Sequence, residues 1–214
     1  MKKGLITTFC LLALTVSSVV AQQRWSAGPR LGLNLSTAVG DIDNTKLKPG
    51  LVAGGFVMYS SVNHFAVSLD ALYSQRGFRY KQTDAQGGID YRQRVNYLEL
   101  PLLFRYFLNR SGDVRPNIFI GPNVGFLLGA NRTNPEAKNR ELFRKADFGA
   151  TAGLGLNFRV GQAQRLHLDA RYTFGLSDMT QNVPLIPDNR PDGVVRNSTI
   201  NLTLGYGIGI GRNY

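Results

Sequence analysis

The stretch Thr199–Tyr214, TINLTLGYGIGIGRNY, constrains the fold more than any other part of the chain. Ile200, Leu202, Leu204, Tyr206, Ile208 and Ile210 are bulky, while the residues between them, Asn201 to Gly209, are Asn, Thr or Gly. Side chains alternate sides along a β-strand, so a period of two sorts these rows onto opposite faces. One face then carries all the bulk and the other almost none. A soluble sheet would turn the bulky row inward and cover its outer face with Lys, Glu and Thr, and glycine is a poor substitute for them. The pattern therefore predicts a bulky row against lipid and a small polar row inside a narrow barrel.

Seven further stretches fit the same template, at residues 25–36, 51–59, 64–74, 95–107, 117–129, 148–160 and 166–176. In the sixth, Phe148, Leu154, Leu156 and Phe158 oppose Gly149, Thr151, Gly153 and Asn157. In the fifth, Ile118, Ile120, Val124, Phe126 and Leu128 oppose Gly121, Asn123, Gly125 and Gly129. The weakest is 51–59, where Phe56 and Met58 make the second face apolar too. No stretch after residue 21 shows a helix-length stripe of period 3.6. Short connections at 60–63, 108–113 and 161–165 alternate with longer polar ones at 37–49, 75–94, 130–146 and 177–197. The expected fold is all-β, an eight-stranded antiparallel up-and-down transmembrane β-barrel, with short turns and both termini at its periplasmic end. Trp25, Tyr59, Phe65, Tyr106, Phe158 and Tyr214 cluster at that rim, and Tyr73 and Phe174 at the other, as interfacial aromatics do.

The N-terminus reads as an export signal. Lys2 and Lys3 precede the apolar run GLITTFCLLALTVSSVV, and small Ala21 ends it. Residues 1–21 are expected to be removed, leaving 22–214 as the barrel. The run is short for a retained membrane helix. Cys10 is the chain's single cysteine and lies within the signal, so no disulfide can staple the mature fold. The net charge of +11 would suit nucleic acid in a cytosolic protein. Export and the scatter of the arginines argue against that partner. Outer-membrane lipid and lipopolysaccharide remain as the anionic surface.

Arg30, Asp70, Glu99, Arg105, Arg159, Asp169 and Arg171 take the inward parity. An unpaired charge in a narrow low-dielectric lumen is costly, so these residues are expected to form a structural network of ion pairs. Arg30, Asp169 and Arg171 should meet where the first and last strands close, with Glu99 and Arg105 in another part. His167 and Asp169 share a face, and Ser68 or Ser74 could supply a hydroxyl, but Ser74 and His167 belong near opposite rims. His64 lies at another short turn. The glycine patterns lack a βαβ context. No catalytic residue, cofactor or metal ligand is expected. Among the loops, 177–197 carries an apolar patch, Val183, Leu185 and Ile186, suited to a protein partner or to folding back on its own rim.

The segment YLELPLLFRYF, Tyr97 to Phe107, resembles the outer-membrane β-barrel family widespread in Bacteroidetes, the PorT-like family, and so does the preceding YSQRGFRY. The likeness spans Gln22 to Tyr214 and implies a small OmpX- or OmpA-like barrel in the outer membrane of a Gram-negative bacterium. Within the motif, Glu99 matches an inward glutamate, and Pro101 a proline expected to interrupt a ladder bond. The resemblance defines no catalytic residue. The expected function is that of a non-enzymatic, monomeric barrel with a plugged polar interior and surface-exposed loops, in a structural or interaction role. The alternatives are an accessory of a protein secretion system, contacting an outer-membrane partner through 177–197, and a narrow pore.

Overall fold

A computed structural model describes residues 24–42, 45–61, 63–84, 87–133, 137–180 and 193–210. The signal segment 1–21, Tyr214 and the patch Val183, Leu185 and Ile186 lie outside the described residues. The strands are β1 (Arg24–Gly40), β2 (Thr45–Lys46), β3 (Lys48–Ser60), β4 (Phe65–Asp84), β5 (Gly87–Phe107), β6 (Val114–Thr133), β7 (Ala137–Lys138), β8 (Ala146–Arg159), β9 (Gln164–Gly175) and β10 (Val195–Ile210). Apart from the two-residue β2 and β7, each pairs antiparallel with its neighbours in the chain. The first and last also pair, Leu31 opposite Leu204 and Leu35 opposite Ile200, so eight long strands close the wall without an edge.

The outer surface of the wall is apolar. Leu31, Ile120 and Leu154 are each more than three-fifths exposed, and Leu69, Phe104, Phe148, Leu202 and Leu204 follow them around the barrel. Water would penalise such a continuous belt, whereas hydrocarbon accepts it. At the end carrying the short turns the belt finishes in paired aromatics. Trp25 sits opposite Tyr59 with ring centroids 5.4 Å apart, and Phe65 opposite Tyr106, also 5.4 Å apart.

Two expectations are corrected. The predicted connection 75–94 is mostly strand, because β4 runs on to Asp84 and β5 starts at Gly87. Above the apolar belt the alternation inverts: Phe78, Tyr80, Gln93 and Val95 are buried, while Arg92 and Arg94 point out. This part of the wall meets water and is patterned like a soluble barrel. Gly77 marks the changeover, with φ of 141° and no room for a Cβ beside the Gln93 carbonyl. Second, Gly129 leaves the inward row. The β5–β6 register shifts from Asn96 opposite Gly129 to Tyr97 opposite Leu127, and this bulge brings both Leu127 and Ala130 inside. The second face of β3 is apolar, as its sequence indicates, and Val52, Phe56 and Met58 pack into the lumen.

Pro101 acts as a ladder interruption. Pairing between β4 and β5 passes from Leu69 opposite Leu102 to Leu72 opposite Glu99, skipping two positions, one of them across from the proline.

Leu204 points outward at mid-belt, and Gly205 faces Phe56 and Arg30 in the lumen. Leu204→Arg is expected to cost roughly 2–4 kcal/mol of folding free energy into lipid vesicles, measured by urea titration. Gly205→Arg should permit membrane association but destabilise the interior. Equal, negligible effects of the two changes would contradict the face assignment.

Candidate functional site

The inward rows bring ionic side chains together at two levels. At the lower level, nearer the short turns, Asp169 of β9 is the hub. Arg105 of β5 grips it in bidentate fashion, Nη1 to Oδ1 at 3.1 Å and Nη2 to Oδ2 at 2.7 Å. Arg171 Nη2 donates to Asp169 at 2.9 Å and lies 2.7 Å from Asp70. Arg30 Nη1 donates to Asp169 and, at 3.2 Å, to Thr203, while its Nε lies 3.3 Å from Asp70. All five charged groups are essentially dry. Neutral acceptors add to the shell: Arg105 also donates to Ser68 and Asn117, each at 3.1 Å.

At the upper level, Arg76 of β4 lies 2.6 Å from Glu99 and 3.6 Å from Asp147. Asn123 donates to Glu99 at 3.3 Å, and Asn197 and Ser177 donate to Asp147 at 2.7 and 2.8 Å. The lower level holds three guanidiniums against two carboxylates, and the upper one against two. The two imbalances cancel across the lumen. Aromatic faces soften the local excess below, because Arg30 lies 4.6 Å from the Phe56 ring centroid and Arg105 4.4 Å from that of Phe119. Phe56 and Phe119 thus have an electrostatic use as well as volume.

Of the predicted network, Arg30, Asp70, Arg105, Asp169 and Arg171 share the lower cluster. Glu99 and Arg105 do not meet. Six residues along β5 separate their levels by about 20 Å of strand. Arg159 joins neither cluster; it ends β8, is 48% exposed and lies 3.7 Å from exposed Asp113. It continues the inward row of β8, but at a strand end the lumen has already opened to water. Sequence reasoning missed Arg76 and Asp147. Both continue the inward parity just beyond the predicted strand ends at residues 74 and 148, where a strand carried further would have found them.

Packing closes the space around these clusters. Between the two levels, a gap of about 10 Å³ lined by Glu99, Thr151, Arg171 and Thr203 has room for roughly one water. Above, a dry cluster that includes Ile42, Phe78, Tyr97, Phe143, Met179 and Val195 caps the lumen. Phe143 and Met179 come from the connections, which a bridge between Phe143 and Thr180 folds inward. Below, a cup of about 310 Å³ lined by Arg115, Arg159 and Arg165 opens at the short-turn end.

The candidate hydrolase residues are not assembled. His167 packs edge-on against Phe56 with centroids 5.0 Å apart, Ser68 accepts from Arg105, and Ser74 accepts from Asn34 at 3.1 Å. No group of three or more His, Cys, Asp or Glu among the described residues could hold a metal ion.

The family model described as "Outer membrane protein beta-barrel domain" matches residues 20–181. No curated protein sequence matches the chain. The fold is similar to that of outer membrane protein AlkL, solved by solid-state NMR in DMPC bilayers. The TM-score is 0.53 at 15% identity, covering 90% of this chain and 92% of that one. It is also similar to the crystal structure of Neisserial surface protein A, with a TM-score of 0.52 at 11% identity, covering 86% of this chain and 96% of that one. At such identities the likeness is one of fold.

Removing the hub separates the buried network from the peripheral pair. Asp169→Asn leaves three dry guanidiniums facing one carboxylate and is expected to destabilise the barrel by about 3–5 kcal/mol. Arg159→Gln should change stability by no more than about 0.5 kcal/mol. Denaturant unfolding in detergent or lipid measures both, and comparable losses from the two substitutions would contradict the placement.

Proposed function

Because the chain belongs to the outer membrane protein beta-barrel domain family, with its long loops extracellular and its wall ending in periplasmic turns, we propose that it works through contacts at its surface rather than by passing solute through its lumen. The observation that carries this reading is the filled interior, where paired charges occupy the middle and an apolar cluster caps the extracellular mouth. The interior network, Arg30, Asp70, Glu99, Arg105, Asp169 and Arg171 with Arg76 and Asp147, has a structural role here: it holds the wall in one register. Closure of the wall leaves no strand edge for a second copy, which supports a monomer. The reading includes export by residues 1–21 and their removal.

The chain associates with outer-membrane lipid and lipopolysaccharide in the general way typical of such barrels. The β4–β5 hairpin supplies a specific means. Exposed Arg92 and Arg94 project from it just above the apolar belt, the height at which lipopolysaccharide phosphates lie, and charge-assisted hydrogen bonds to phosphate suit them.

The motif Tyr97–Phe107 favours a second reading, a PorT-like accessory of a protein secretion system that meets an outer-membrane partner through the 177–197 loop. Crosslinking from that loop in native membranes distinguishes the two, since an accessory is captured with a larger assembly and a lone barrel is not.

Conductance tests the filled lumen. Purified protein in planar bilayers is expected to show no large, stable single-channel steps, and regular steps of that kind would sink the plugged reading in favour of the narrow pore.

A further inference from the structure

The lipid-facing wall is not uniformly convex. A furrow of about 670 Å³ lies across β4, β5, β6 and β8, lined by Phe65, Phe104, Ile118, Ile120 and Leu154, with Ala152 among the residues at its floor. Its cause is local. Ala152 stands in the outward row of β8 between Ile120 and Tyr172 of the neighbouring strands, and its methyl group fills little of the space those side chains frame. An apolar concavity left empty forfeits dispersion contacts along its lining, and water offers no compensation there.

The foot of the furrow carries a polar cluster. Tyr106, which also lines the furrow, stacks on His64 with ring centroids 5.3 Å apart. His64 Nδ1 bonds the Phe107 carbonyl, and Arg110 Nε donates to His64 Nε2 at 3.1 Å. Both bonds are satisfied by the neutral imidazole with its proton on Nδ1. Arg110 is exposed and, among the described residues, has no ion pair; the nearby Asp113 is engaged by Arg159. One edge of the Arg110 guanidinium is thus fixed by His64, and its Nη groups stay available. Both residues sit on short turns, at the periplasmic boundary of the apolar belt.

We propose that this furrow and its polar foot form a binding site for one phospholipid of the periplasmic leaflet. An acyl chain lies against Ala152 between Ile118, Ile120 and Phe104, and the phosphate is held by Arg110. The furrow is continuous with the lipid-facing belt, so its occupant is drawn from hydrocarbon. The guanidinium at its lower end is complementary to a phosphodiester at the same height. The site rests on the outer-membrane reading, which sets the leaflet.

The test is native mass spectrometry of the folded barrel released from micelles supplied with phosphatidylglycerol. Heat-dependent gel mobility certifies that each variant is folded, so failure of the barrel itself is seen separately. Wild-type protein is expected to retain one lipid per chain. Ala152→Phe, which fills the furrow without adding charge to the lipid face, should abolish retention. Arg110→Gln should lower it roughly tenfold, the loss of one charged hydrogen-bonding partner. Ala53→Phe, on the outward row of β3 and away from the furrow, should leave it unchanged. Equal retention by wild type, Ala152→Phe and Arg110→Gln overturns the site. So does folded wild-type protein without lipid, or a two-chain species in place of the lipid adduct.

Discussion

Hydrocarbon offers the backbone no hydrogen-bonding partner, and the rest of this structure follows from that. A wall of strands crossing it must close on itself, which β1 and β10 accomplish along most of their length. Closing eight strands leaves an interior too narrow for bulk water and wide enough only for side chains. Charged residues on the inward rows then lose their solvent and must find one another. Four guanidiniums and four carboxylates do so, at two levels, with neutral Asn, Ser and Thr groups supplying further hydrogen bonds. Replacing such a network by apolar side chains could leave the barrel equally stable, so its value lies in specificity. Slipping one strand by one residue would turn its charges into lipid.

The barrel is patterned as two environments stacked on one another. In the membrane the bulky rows face out and the lumen is polar. Above it, where β4 and β5 continue into water, Phe78, Tyr80 and Val95 face in and Arg92 and Arg94 face out. The apolar cap formed there closes the mouth from above, and the ionic levels occupy the space beneath it. A chain built this way has little lumen left for transport and a tall hairpin for contact. This agrees with a role exercised at the surface.

The wall was legible in the sequence because the alternation of bulk with glycine, Asn and Thr is strongest where one face meets lipid. Leu204 and Gly205, or Leu154 and Gly155, identify their faces without help. Legibility failed where the environment changes. Residues 75–94 look like a polar loop to a rule that seeks an apolar outward row, yet Phe78 and Tyr80 alternate properly for a wall with its core inside. Arg76 and Asp147 fell beyond the predicted strand ends for the same reason. Arg159 shows the opposite limit, since parity gives direction but not height, and a residue at the rim of a lumen is still in water. The bulge opposite Asn96 and Tyr97 carries no local signal that a period-two count can register.

The account rests on the bulky rows of the wall lying against acyl chains. Nitroxide labels placed singly at positions 200, 202, 204, 206 and 208 of β10, in protein reconstituted into lipid, test this most directly through their accessibility to oxygen and to a water-soluble nickel chelate. The expected result is strong relaxation by oxygen and little by nickel at all five, with the oxygen effect greatest near 204. Labels immobilised and shielded from both reagents, as in a dry protein core, would contradict it.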